Sequence, residues 1–274
     1  MPETMTKIAP RADIEGGGRL MWLTPQRVFY AGLLGAAGER CLGGHGIYLS
    51  PSGRPNRIRI GGGAWQAGAL FVVPPWVPHR VESGEPLIFN LLVEAESVDA
   101  AALPAFMRGC GPVEAPDVVP RVHAAHARLR AASVHQGFGG LDFDCLFFGR
   151  ALAPRPLDAR IRRVIERIVA EPSASFSAEQ CAAEVQLSFS RFLHLFKQET
   201  GVTFRAFRAW KRARSLLSHV RQAASLTDIA LDAGYPDSAH FSHSIRQVYG
   251  LTPSDIVAGS RRLALHEAPA AVML

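Results

Sequence analysis

The sequence predicts an α+β chain in two parts. An N-terminal β-barrel or sandwich with accessory helices comes first, then an all-α domain with two helix-turn-helix motifs joined by a linker helix. Three observations carry this. Short apolar runs of strand length, set apart by Gly, Pro and Ser clusters, fill residues 19–93. Residues 177–201 and 225–250 each read as a short apolar helix, a tight turn and a second helix with one polar side. The positive charge is uneven: residues 155–262 carry 16 Lys/Arg against 10 Asp/Glu, and the preceding 154 residues carry 14 against 13. The expected domains are 19–135 for the strand-rich part with its accessory helix, 136–157 for a linker, and 158–262 for the helical part.

Residues 1–18 are polar and Gly-rich, with the texture of a loose terminus. Strands are expected at Arg27–Leu34, Gly46–Ser50, Ala69–Val73 and Leu87–Val93. Arg57–Ile60 alternates Arg and Ile, the period of a half-buried strand. Pro51-Ser52-Gly53, Gly61-Gly62-Gly63 and Ser83-Gly84 punctuate between them. After Ser97 the texture turns helical: Val119, Val122, Ala125, His126 and Leu129 recur at one face's spacing. Such a helix packs on its own chain or on a second copy.

Leu157-Asp158 opens the helical domain. Ile161, Val164, Ile165, Ile168 and Val169 form an apolar stripe, with arginines on the other faces. Ser177 with Gln180 has capping-box spacing, Ser188 caps the next helix, and Gly201 stops it. Phe204–Val220 is the connecting helix. Thr227 is the expected cap of the second motif, Gly234 permits its turn, Asp237 caps its second helix and Gly250 ends it.

Two such motifs about 50 residues apart form an arrangement in which two second helices enter neighbouring major-groove segments. The expected base-reading residues are Ser190, Arg191, Leu193 and His194 in the first motif, and Ser238, Ala239, His240, Ser242 and His243 in the second. Arg191 suits guanine, while Leu193 and Ala239 suit thymine methyls. Lys197, Arg205, Lys211, Arg212 and Arg246 are the expected phosphate contacts. For the three histidines near the groove the expectation is neutral hydrogen bonding, with firmer binding at mildly acid pH as the alternative.

The strings Leu187-Ser188, Phe196-Lys197-Gln198-Glu199-Thr200-Gly201, Ile229-Ala230, Ala233-Gly234-Tyr235, His240-Phe241-Ser242 and Tyr249-Gly250-Leu251-Thr252-Pro253 resemble the DNA-binding domain of the AraC/XylS transcription regulators. The resemblance covers roughly the last 100 residues of the helical part. It implies a sequence-specific regulator with double-stranded DNA as partner, a small-molecule effector, a homodimer, and RNA polymerase if it activates. Ile245, Ala209 and Ile256-Val257 depart from the family's usual residues, which touches individual contacts and not the fold.

In the N-terminal part, Gly68, Pro74, Trp76 and His79 stand at the spacing of the second cupin motif. The His-x-His and Glu of the first motif are absent, and only His45 lies in the corresponding region. The resemblance is therefore to the cupin-like sensor domains of AraC-type regulators. It implies a cavity lined by His45, Trp65, Trp76 and His79, with no metal, no cofactor and no catalytic residue. A metal-dependent cupin enzyme with a helical appendage is the competing class; against it, two histidines fall short of the three or four protein ligands of a catalytic site. An architectural DNA binder without a sensing role is a third.

Cys41, Cys110, Cys145 and Cys181 are widely spaced, which favours buried reduced thiols in a cytoplasmic protein over disulfides or zinc. No run of 18 apolar residues and no signal-peptide pattern occur, so no membrane partner is expected.

Overall fold

The computed structural model describes residues 19–32, 38–85, 87–135, 138, 140–219, 225–260 and 264–267. The terminus expected to be loose lies outside them. The strands are β1 (Leu20–Leu23), β2 (Arg27–Gly32), β3 (Gly44–Leu49), β4 (Asn56–Ile60), β5 (Trp65–Gly68), β6 (Leu70–Val73), β7 (His79–Glu82), β8 (Ile88–Glu94), β9 (Gly111–Pro112) and β10 (Ala264–Glu267). They form a seven-stranded sheet of order β10-β1-β2-β8-β3-β6-β9 and a three-stranded sheet of order β5-β4-β7. Pairing is antiparallel except where β10 runs parallel beside β1.

Each expected strand overlaps one of these, β2, β3, β4, β6 and β8 in turn, and positions 33 and 34 of the first lie outside the described residues. Those not anticipated are short or lack alternation. One of them, β10, lies past the helical domain and returns to the edge of the N-terminal sheet.

The central strands are apolar at nearly every position because both faces of the large sheet are covered. Leu20, Trp22, Phe29, Ala31, Ile47, Leu49, Val72, Phe89 and Leu91 face one side. Two helices, α1 (Val118–His135) and α2 (Phe143–Phe148), cover it. Val118, Val122, Ala125 and Leu129 are buried there, so α1 packs on its own chain. Met21, Leu23, Val28, Tyr48, Phe71, Val73 and Leu92 alternate onto the other side, opposite Ile58 and Val81 of the small sheet.

The stretch 136–157, expected to be a linker, is a correction. Phe138, Phe143, Phe147, Phe148 and Leu152 are buried in the N-terminal core, with the Phe138 and Phe143 rings 5.3 and 5.1 Å from Trp22. Arg27 fixes α2 from below through Asp144, Nε to Oδ1 at 2.7 Å and Nη2 to Oδ2 at 3.0 Å. The cysteine expectation also needs correcting: Cys181 is buried, but Cys110 and Cys145 are exposed.

The helical domain comprises α3 (Ala159–Ala170), α4 (Ala178–Glu184), α5 (Phe189–Thr200), α6 (Phe204–His219), α7 (Leu226–Asp232), α8 (Ser238–Tyr249) and α9 (Pro253–Ser260). The first motif, α4–α5, shares one core with the α3 stripe and with Phe204 and Phe207 at the start of α6. The second motif, α7–α8, does not have a separate core. Ile229, Ala230, Phe241 and Ile245 join Trp210, Ala213 and Leu216 of α6, and through them the inner side of the N-terminal sheets.

Candidate nucleic-acid interface and interior site

Each motif is built by local hydrogen bonding. Ser177 caps α4 in a reciprocal box with Gln180, and Ser188 caps α5. In the second motif the cap is Ser225, boxed with Asp228; Thr227, the expected cap, sits inside the first turn of α7. Asp237 accepts from the backbone N–H of Ala239 and His240 to start α8. The inter-helix turns match: Leu187 N–H donates to Ala182 O and Tyr235 N–H to Ala230 O, both at 2.9 Å. Both turns pass through a left-handed residue, Gln186 (φ 55°) in one and Gly234 (φ 74°) in the other. Gly201 and Gly250 close α5 and α8 in the same conformation.

The second helix of each motif buries an aromatic or aliphatic side and presents a polar one. Phe192 and Phe196 are buried in α5, while Ser190, Arg191, His194 and Lys197 are exposed and Leu193 is half-buried. Phe241 and Ile245 are buried in α8, while Ser238, Ala239, His240, His243 and Arg246 are exposed and Ser242 is half-buried. The Asp237 carboxylate lies 2.8 Å from His240 Nδ1, which leaves Nε2 for a base edge. Bonds from the backbone and side chain of His240 hold the Asp237 carboxyl below its usual range. Arg205 is exposed, and the half-buried Arg212 lies 5.5 Å over the Tyr235 ring.

Lys211 is corrected. It is 4 % exposed and points away from any phosphate, into the N-terminal domain. Its Nζ donates to Glu94 Oε2 at 2.7 Å and also to Glu96; Trp210 Nε1 donates to the same Glu94 oxygen at 2.7 Å, and Arg214 Nε lies 3.2 Å from Glu94 Oε1. Burial alone pushes Glu94 up, but the charges of Lys211 and Arg214 and the bonds from Lys211 and Trp210 outweigh it, so its pKa is lowered. Burial, joined by the charge of Glu94, leaves Glu96 raised. Burial disfavours the Lys211 ammonium, yet the two carboxylates hold its pKa above the usual value. A strand-phase reading places Glu94 with Leu92 on the inner face, and a carboxylate there needs a cation. That signal was present in the sequence, but its partners lie 116 or more residues further along the chain.

The four residues expected to line a cavity do not meet. His45 is in phase with Ile47 and Leu49, on the α1–α2 side of the large sheet. Burial first, then the charges of Arg27 and Arg155, lowers its pKa to about 4. Trp65 pairs with Arg59 across β5 and β4, on the outer side of the small sheet, between the guanidinium groups of Arg57 and Arg59 at 5.1 and 5.2 Å. Ile60 and its partner His79 point the other way, inward. Trp76, held at φ 65° with its N–H on Leu42 O, packs its ring 6.4 Å from Trp210 of α6. Only Trp76 and His79 therefore share the interior. His45 and His79 lie on different faces and cannot ligate one ion. Among the described residues no group of three His, Cys, Asp or Glu is placed to hold a metal.

His79 is part of a polar chain. Its Nδ1 lies 2.8 Å from Val77 O, which requires Nδ1 to donate, so Nε2 accepts from the Tyr48 hydroxyl at 2.8 Å. The Arg40 charge lies near Tyr48. Burial, with the nearby Arg40 charge, brings the His79 pKa to about 4 despite the Val77 bond.

Comparison with known proteins agrees with this anatomy. Residues 181–258 match the helix-turn-helix domain family. The arabinose operon regulatory protein of Salmonella typhimurium is 32 % identical over 108 residues, 38 % of each chain. The HTH-type transcriptional activator RhaS of Klebsiella pneumoniae is 33 % identical over 105 residues, 37 % of each. The chain thus spans well under half the length of the curated relatives it matches. The apo structure of a ToxT variant from Vibrio cholerae shares the overall fold, with a TM-score of 0.60 over 85 % of this chain and 97 % of that one at 11 % identity. No helix among the described residues is long and apolar enough to cross a membrane.

Proposed function

We propose, from the premise that the C-terminal region of this chain belongs to the AraC/XylS helix-turn-helix family, that the protein is a sequence-specific DNA-binding transcription regulator. One observation carries this reading above the others. Two independently capped motifs share the linker helix α6, and each presents an exposed second helix of Ser, His and Arg side chains. The 16 residues of α6 span ~24 Å, the order of spacing needed to serve neighbouring major-groove segments about 34 Å apart. Arg191, His194, His240 and His243 read bases with Ser190, Leu193, Ser238, Ala239 and Ser242. Lys197, Arg205, Arg212 and Arg246 hold phosphates.

The N-terminal cupin-like domain is the sensor. A small molecule enters between its two sheets and shifts how the domain holds α6 and the second motif, provided it binds one arrangement better than the other. The protein works in the cytoplasm, pairs as a homodimer and meets RNA polymerase when it activates; it is a regulator and not a cupin enzyme. The buried contact of Trp76 with Trp210 and the shared core of the second motif favour this coupling over an architectural DNA binder.

Selection of DNA fragments by the purified protein, with affinity followed against salt, is the direct test. A regulator enriches one sequence and loses affinity linearly in log salt. Recovery of no common sequence would overturn the assignment.

A further inference from the structure

A polar row crosses the inner face of the large sheet. Tyr30, Asn90 and Tyr48 stand side by side across β2, β8 and β3. Facing them, His79 pairs with Ile60 and forms a backbone bridge to Arg40. Tyr30 and Asn90 sit mid-strand in the interior of the sheet, yet both are half-buried where Val28 and Leu92, on the same side, are buried. Ile60 and Trp76 are half-buried as well. Solvent therefore reaches the space between the two sheets at this point.

Arg40 lies at the floor of that space and is 6 % exposed. Its charge lies near the Tyr48 hydroxyl, and its Nε and Nη2 have no partner. The adjacent Glu39 carboxylate is turned to Arg80, and among the described residues no carboxylate pairs with Arg40. A buried guanidinium without a counter-ion is costly, and its Nε–Nη2 edge is the one that receives a carboxylate through two parallel bonds.

We propose that this site binds a small monocarboxylate: its carboxylate seats on the Nε–Nη2 edge of Arg40, and its apolar body lies along Trp76, Tyr30 and Ile60. The proposal rests on the reading of the N-terminal domain as a sensor and names the chemical class it senses. The site adjoins the second motif. Cys41 N–H donates to Val248 O of α8 at 3.1 Å, and the backbone of Gly38 abuts that of Gly250, leaving no room for a Cβ on either. An anion on Arg40 is thus one residue from the contact between this loop and α8.

The test uses the full chain with matched probes: 3-phenylpropanoate, 3-phenylpropanol, acetate and inorganic phosphate. Thermal unfolding and Trp fluorescence report binding. The acid is expected to raise Tm and quench Trp emission, and the alcohol to do neither. Acetate should act weakly and phosphate less. Arg40→Gln should weaken binding of the acid by about 10- to 100-fold, and Arg40→Lys, which keeps the charge, should lose less. Equal response to acid and alcohol, an unchanged affinity in Arg40→Gln, or no response of the wild type to any acid overturns the proposal. Circular dichroism confirms that the variants fold. DNA selection by the ligand-free wild type is scored separately, so loss of the carboxylate site and loss of the regulator reading are told apart.

Discussion

Arg191 is the exposed residue whose role differs most between the two kinds of DNA contact. It occupies the first turn of α5, its backbone N–H on the Ser188 cap, so its side chain starts near the N-terminal end of that helix. If it reads guanine, Arg191→Ala should cost about 1–3 kcal/mol at one base position and relax specificity there only. Uniform loss over all sequences, measured by selection, would move it to the phosphate set. His45 and His79 support a pH prediction. Each has a folded pKa of about 4 against an ordinary 6.5, burial being the first cause. A lowered value means the fold favours the neutral ring. Their contribution is complete above about pH 6.5 and is lost as pH falls toward 4, up to about 3 kcal/mol each. Denaturant unfolding at pH 7 and pH 4.5 should show this drop, and His79→Gln should remove part of it. An identical pH slope in that variant would show that His79 is solvated.

The helices were legible in the sequence because their signals are local. Ser177, Ser188, Asp237, Gly201 and Gly250 cap or close where spacing places them, and the stripe of α3 is the buried one. The error at Thr227 was a matter of two residues: Ser225 wins because Asp228 completes its box. The interior of the N-terminal domain was far less legible. Which side of a strand a residue faces depends on register, and a one-residue difference separates Trp65 from the inward set. The two turns give a paired test at this scale. Gly234 is left-handed, and a Cβ there would stand 2.4 Å from Ser173 O, so Gly234→Ala should destabilise by about 1–3 kcal/mol. Gln186 holds the same conformation in the first motif, where Gln186→Gly should be neutral or stabilise by up to about 1 kcal/mol. Urea unfolding of both variants checks the pair; a large loss in Gln186→Gly would mean its side chain, not its backbone, matters.

At the scale of the molecule, the two motifs are anchored differently. The first folds around its own core with α3, and the second shares a core with the N-terminal sheets through α6. Lys211 stands at that junction, 4 % exposed between Glu94 and Glu96. Taking it away leaves two buried carboxylates with Arg214 alone, and removal of one member of a buried pair costs about 3–5 kcal/mol. Lys211→Met should therefore lower unfolding stability by that amount. Glu96→Gln and Lys211→Met together remove one charge of each sign and leave Glu94 paired with Arg214, so that variant should recover most of the loss. The sign of the pH effect follows from the same cluster. Glu94 has a lowered pKa, so its stabilisation is present above the ordinary carboxylate range and disappears as the pH falls through its folded value. Lys211 has a raised pKa, so its share persists at neutral pH and is lost only on strong alkalinisation. The outer faces of α5 and α8 carry Arg191, His194, His240 and His243, all exposed, while Tyr249 at the end of α8 packs on Trp210 at the junction. DNA affinity in the double variant then reports whether the junction restrains the second motif. A loss below about 1 kcal/mol in Lys211→Met would show the junction is wet and carries no hold between the domains, because exposed pairs contribute no more than that.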